Sequence, residues 1–292
     1  MGFWARLKQG WRLGVTSIRI VVSEPELLAF PVMSIVALGV VGLVAFLLTP
    51  VTATVQDLAA SGSTAGYVLL AAGAFLAAFV VTTTSTFFAA GLVYCASRVF
   101  RGEDPDVRDG LRAAWDARAK IVAWGLIAAT VAVAVRAIER RGQGGQIVAA
   151  LFGVAWAVLT YFIVPVMVLE DVGVREMFEE SARTFRETWG EYAGASVGVG
   201  LVFLLALVAA VGVLILGVLL FSFSATLIVL LVVGFVLFVL LLMPAAQAVT
   251  GVVKTALYIY ARDDEVPEAF AGEDFQHLFE ERSRGKSRAG RI

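Results

Sequence analysis

One cysteine and one histidine are all that the 292 residues hold of the two side chains most used for metal and thiol chemistry. With Cys95 alone, an intramolecular disulfide and a cysteine-based metal site are excluded. His277 stands by itself in a polar C-terminal stretch, which removes histidine-rich metal sites and His-based triads. Charged residues make up only 16% of the chain, and no acid falls well inside its apolar runs. Glu170 and Asp171 close one run and Glu191 precedes another. Acids buried in a membrane mark proton or cation coupling, so their scarcity weighs against a proton-driven transporter. Gly142-Gln143-Gly144-Gly145 lacks the lysine and the preceding strand of a phosphate-binding loop and reads as a turn. No catalytic, cofactor-binding or metal-ligating residue is assigned, and no motif supports an enzyme.

Apolar residues dominate instead. They form 60% of the sequence, and the mean hydropathy of +0.87 lies far outside the range of soluble domains. A helix needs about 20 apolar residues to cross about 30 Å of hydrocarbon. Six stretches satisfy this: Leu27–Leu48, Thr64–Phe100, Ala119–Ile138, Gln146–Leu169, and two halves of the run Ala193–Val253 divided at Ser222-Phe223-Ser224. The second overshoots one bilayer thickness, and the last continues in helical character to Arg262. Thr49-Pro50 closes the first span, and a polar loop with Ser61-Gly62-Ser63 follows. The expected fold class is all-α, a polytopic membrane helix bundle with three interfacial amphipathic helices. Residues 1–262 form the membrane domain and 263–292 a soluble tail.

The clearest amphipathic segment is Val174–Trp189, a short helix between two spans. Val174, Phe178, Ala182, Phe185 and Trp189 recur at helical spacing, and Arg175, Glu176, Glu179, Glu180, Arg183, Arg186 and Glu187 take the other face. Such a helix lies flat, one face in acyl chain or protein and the other in water. Val107–Lys120 and Phe3–Ile18 repeat the theme. In the former, Val107, Leu111, Ala114 and Trp115 share a face, with Arg108, Asp109, Arg112 and Asp116 outside. Trp4, Trp11, Trp115 and Trp189 are the candidate interfacial anchors.

Orientation follows from the basic residues. Met1–Glu26, Arg98–Lys120, Glu170–Tyr192 and Lys254–Ile292 hold every Lys and Arg except Arg136, Arg140 and Arg141. The positive-inside rule then places both termini and the amphipathic helices in the cytoplasm, and the plasma membrane is the expected location. The net charge of −1 averages over strongly segregated charges, and no nucleic-acid partner is expected.

Segments 3–100, 105–169 and 173–262 each read as amphipathic helix, span, turn and returning span. Val107-Arg108-Asp109 matches Val174-Arg175-Glu176, and Leu111 matches Phe178. Two explanations stand: a threefold duplication in one orientation, or the parity of any hairpin membrane protein together with short chance matches.

Within the spans, Thr82-Thr83-Thr84-Ser85-Thr86 is the most polar stretch. Thr83, Thr86, Pro165, Pro244 and Gln247 are the candidate lining of a solute pathway, with the two prolines marking kinks that free carbonyls. The plainer reading of the hydroxyls is bonding back to their own helix or to a neighbour. Gly190, Gly194 and Gly198 form a small-residue stripe suited to close helix packing.

Gly10-Trp11-Arg12-Leu13, Ser17 and the run Ser23-Glu24-Pro25-Glu26-Leu27-Leu28-Ala29-Phe30-Pro31 resemble the opening of an uncharacterised family of six-span prokaryotic membrane proteins. Gly102–Trp115 and Val174–Trp189 are similar to charged helices in the membrane domain that accompanies some glycerophosphodiester phosphodiesterases. The likeness implies a membrane domain of unknown function. It carries over no catalytic residue, because the phosphodiesterase catalytic domain is not found in this chain. The residues thus lead to a non-enzymatic scaffold, or a protein that engages membrane lipids and either a second copy or another membrane protein. A channel or transporter for a small solute is the alternative.

Overall fold

Helix is the only regular secondary structure among the described residues, which in this computed structural model are 15–220 and 224–263, with the side chains of 187–199 and 201 left aside. The helices are α1 (15–23), α2 (Glu26–Leu47), α3 (Thr49–Ala60), α4 (Thr64–Val99), α5 (Val107–Asp116), α6 (Arg118–Glu139), α7 (Gln143–Leu159), α8 (Ile163–Leu169), α9 (Val174–Leu220) and α10 (Ala225–Asp263). The all-α expectation holds. Six helical segments are long and apolar enough to cross a membrane: Glu26–Leu47, Thr64–Val99, Arg118–Glu139, Gln143–Leu169, Val202–Leu220 and Ala225–Asp263. Their most apolar stretches are also the least covered by protein; no residue of the most apolar window in α10 is buried. A water-soluble fold does the reverse, because exposed apolar area on this scale is stable only against lipid.

Contacts divide the chain into two units. One draws on Met1–Leu28, Cys95–Pro105 and Glu187–Ile292. Within α10 the C-terminal portion is the buried one, with Val249, Val252, Thr255 and Tyr258 almost inaccessible, and Cys95 and Ala96 at the end of α4 are fully buried too. Thr255 donates its hydroxyl to the Gly251 carbonyl at 2.8 Å, so its polar atom is satisfied within the helix. After α4, Gly102 takes φ +73° and lets the chain turn. The Arg98–Glu103 ion pair at 2.8 Å closes that turn.

Ala29–Tyr94 and Asp106–Arg186 make the other unit. Its tightest point joins α2, α4 and α5. A Cβ on Gly91 would lie 2.5 Å from Phe30 Cε1 and 3.2 Å from the Gly110 carbonyl oxygen, so only glycine admits this approach. Phe30 is completely buried there. α6 and α7 form a hairpin through Gly142 at φ +87°. Gly145 packs against the Ile138 carbonyl, where a side chain would collide.

Three segments depart from the sequence reading. The stretch after Thr49 is helical, not a loop. Pro50 sits in the first turn, where its missing N–H costs nothing, and Thr52 and Thr54 donate to the Thr49 and Pro50 carbonyls. The fourth span is broken at residues 160–162 between α7 and α8. Pro165 explains the break, since its ring would strike the carbonyl four residues back in a continuous helix. Third, Val174–Trp189 is no separate short helix but the beginning of α9, which runs unbroken from Val174 to Leu220. Gly190, Gly194, Gly198 and Gly200 stand singly among helix formers there, and a lone glycine costs about 1 kcal/mol, too little to end a helix.

Candidate functional site

The break between α7 and α8 is where polar backbone, aromatic mass and charge come together. Ending α7 at Leu159 frees backbone groups that an apolar surrounding would leave unsatisfied. Two are answered locally: the Tyr161 N–H donates to the Val158 carbonyl at 3.5 Å and the Ile163 N–H to the Thr160 carbonyl at 3.1 Å, while the Thr160 hydroxyl adds a 2.8 Å bond to the Trp156 carbonyl that the Thr160 N–H also reaches. The Phe162 N–H finds its acceptor on another helix, donating to the Ser181 hydroxyl oxygen of α9 at 3.1 Å. Ser181 and Phe162 are both fully buried. At the other end of α8, the Lys120 ammonium of α6 donates to the Glu170 carbonyl at 2.9 Å and to the Met167 carbonyl at 3.4 Å. A cation on the last carbonyls of a helix also meets the negative end of its dipole. The short segment is therefore held at both ends by side chains of its neighbours.

Aromatic rings fill the space beside it. Trp124 of α6 stacks on Trp156 of α7 with centroids 5.7 Å apart, and Phe178 of α9 leans on both at 5.8 and 6.1 Å. Tyr161, in the break itself, meets Phe162 and Phe185 edge-on. Such pairs add to area burial by about 0.5–1.5 kcal/mol each. Met177, Ser181, Thr184 and Phe185 form the buried stripe of α9, while Phe178, Ala182 and Val174 are only half-buried. The helix is thus rotated from the face predicted by hydrophobicity, because Ser181 is drawn inward by the Phe162 N–H.

On the outer face, Arg175, Glu176, Glu179, Arg183 and Arg186 are exposed, as the wet-face reading requires. Their charges are largely answered along the helix: Arg175 with Glu179 at 3.2 Å and Arg183 with Glu180 at 2.6 Å. The Glu176 carboxylate accepts the Gly173 N–H at 3.0 Å, capping the start of α9. Asp109 does the same for the Asp106 N–H at the start of α5, at 3.1 Å. The matching triplets Val107-Arg108-Asp109 and Val174-Arg175-Glu176 are thus the same device, an acid at the third helical position bonded to the N-cap amide.

The remaining candidates lie as follows. Thr86 is buried and Thr83 half-buried, with the Thr83 Oγ1 enclosed and without a hydrogen-bond partner. It presses on Gly125 of α6, where a Cβ would collide with it. Ser85 bonds back to the Thr82 carbonyl at 3.1 Å. Pro165 is buried in α8, Pro244 is buried in α10 and Gln247 is exposed. Trp115 does not share the face of Ala114: Ala114 is fully buried and Trp115 is 59% exposed. The side of α5 opposite the tryptophan is the one that packs, through Gly110 against Gly91. Trp4, Trp11 and the tail with His277 lie outside the described residues, as do the side chain of Trp189 and the surroundings of Gly190, Gly194 and Gly198. Among the described residues, no group of three or more His, Cys, Asp or Glu is arranged to hold a metal ion. Hydrophobicity alone did not single out Ser181 or Lys120; the proline upstream of a serine-bearing helix was the available signal.

Residues 64–267, more than half of the chain, match a family described as a Family of unknown function (DUF6159). Nothing among curated proteins or solved structures matches the chain.

Proposed function

We propose, for a chain that belongs to DUF6159, a family of unknown function, that it is a non-enzymatic scaffold or lipid-engaging protein at the inner face of the plasma membrane. The observation that carries this reading is the attachment of α5 and the first turns of α9 to membrane-spanning helices by buried faces, with their charged faces outward. A helix held in this way presents a fixed polar surface at the end of a span, suited to headgroups or to a partner. Both termini are cytoplasmic in this proposal, in accord with the distribution of Lys and Arg. The partner is a second copy or another membrane protein. The layout shared with the membrane domain of some glycerophosphodiester phosphodiesterases, and a prokaryotic origin, belong to the same proposal. The test is mild native extraction followed by analysis of co-purifying lipid and protein. Reproducible retention of either supports the reading, and protein that emerges with neither overturns it.

A channel or transporter is the second reading, favoured by the enclosed, unpartnered Thr83 Oγ1 in the threonine run. The packing of that hydroxyl on Gly125 and near the Phe79 ring supports a helix contact over a wet path. Solute flux through proteoliposomes that stops in Thr83→Val or Thr86→Val would establish the second reading.

A further inference from the structure

Arg108, Arg112 and Trp115 fall at i, i+4 and i+7 on α5 and so share one stripe, while Gly110, Ala114 and Ala117 occupy the opposite side and are buried. The stripe therefore lies on the exposed side of α5. Arg118, the first residue of α6, adds a third cation: its guanidinium carbon stands 5.5 Å from the Trp115 ring centroid. One of its N–H groups donates to the Trp115 carbonyl at 3.0 Å, which fixes the pair. Among the described residues, none of these three guanidinium groups is paired with a carboxylate. Arg175 and Arg183 on α9 behave differently, each neutralised by a glutamate of its own helix. Two acids flank the stripe. Asp109 is engaged with the Asp106 N–H, and Asp116 is exposed.

From this arrangement we propose that the outward stripe of α5, with Arg118, binds the phosphate of anionic phospholipid headgroups and seats Trp115 at the headgroup level. The inference rests on the lipid-engaging reading above and gives it a ligand and a location. Charge complementarity selects the ligand, because three uncompensated guanidinium groups on one exposed face match phosphate oxygens through paired N–H donors. Position selects its source. α5 ends at Asp116 and the span α6 begins at Arg118, so the stripe lies where the hydrocarbon ends and phosphates are densest. An exposed indole beside such a junction is stable at the interface, ring toward the acyl chains and N–H toward water.

The experiment uses the full chain, purified with equal amounts of phosphatidylglycerol and phosphatidylcholine, with bound lipid counted by native mass spectrometry. The wild type should retain phosphatidylglycerol preferentially. Arg108→Gln with Arg112→Gln and Arg118→Gln should lower that preference by about tenfold to a hundredfold, from the typical contribution of each basic residue near an anionic surface. Arg112→Gln alone, at one exposed position, should lower it by about fivefold on the same basis. Arg175→Gln with Arg183→Gln should leave it unchanged. Unaltered helicity would accompany each result. A wild-type preference that survives the triple substitution, or that the α9 substitutions abolish equally, overturns this inference while leaving a lipid-engaging protein in place. Wild-type protein with no lipid preference overturns the inference, and the absence of any retained lipid or partner overturns the broader reading as well. Displacement of the lipid by inorganic phosphate at equal phosphate concentration overturns the assignment to a membrane lipid.

Discussion

Ser181→Ala is the substitution that tests how the broken helix is held. Its methyl group fills nearly the space of the hydroxymethyl, so packing around the fully buried site changes little. What it removes is the acceptor of the Phe162 N–H, a buried bond of 3.1 Å between α9 and the break. An amide left unsatisfied in an apolar setting costs about 1–3 kcal/mol. For chains approaching this size, about 2–4 °C per kcal/mol relates stability to the unfolding midpoint. The variant should therefore melt roughly 2–12 °C below wild type in the same detergent. The Phe162 N–H turns to Ser181 because Pro165 forbids a continuous turn through the break. In a Pro165→Ala background the helix can close, and the Phe162 N–H then takes the Val158 carbonyl as its partner. Ser181→Ala should be nearly silent in that background. A double-substitution cycle on thermal midpoints reads the coupling directly. If Ser181→Ala costs the same with and without Pro165, the link drawn between the proline, the break and the serine is wrong.

Other consequences are open to the same stability assay. Gly91→Ala should destabilise by about 1–3 kcal/mol, because the new methyl group meets the buried Phe30 ring and the Gly110 carbonyl; Phe30→Leu should recover part of the loss. Lys120→Met removes the donor shared by Met167 and Glu170 and should cost about 1–3 kcal/mol, whereas Lys120→Arg should retain part of the effect. Thr83→Val should be neutral or stabilising by about 1 kcal/mol, since the hydroxyl it replaces is enclosed and unpartnered. A large loss of stability there would reveal a bond to water or to a solute.

Much of the fold was legible because lipid is an unforgiving solvent. Span starts and ends follow from where apolar runs meet charge, and the helices at Thr64 and Arg118 begin at or within one residue of the expected positions. Helix rotation was less legible. Hydrophobicity put Phe178 at the centre of the inward face of α9, but the residues fully buried are Met177 and Ser181. A serine reads as polar until the amide that needs it is known, and that amide lies 19 residues away. Helical spacing put Trp115 on one face with Ala114, yet the close approach of Gly110 to Gly91 turns the small residues inward and leaves the indole outside. Pro165 was visible as a disturbance, and its effect is a break in the helix. Thr83, Thr86 and Gln247 owe their selection to polarity and Pro165 and Pro244 to their kinks, and Ser85 and Thr250 illustrate the competing use of hydroxyls, each bonded to a carbonyl of its own helix.

The inner-face role proposed for α5 and the exposed start of α9 requires both to lie on the cytoplasmic side of the membrane. Single cysteines at Ser61, Arg141, Arg112 and Arg183, in a chain whose buried Cys95 is replaced by alanine, test this with a membrane-impermeant maleimide. Arg112 and Arg183 carry the proposed inner-face assignment, and Ser61 and Arg141 the opposite one. The prediction is that cysteines at 61 and 141 react in intact cells, and that those at 112 and 183 react only after permeabilisation. Labelling of the cysteine at 112 or 183 in intact cells, or opposite behaviour of 61 and 141, would contradict it.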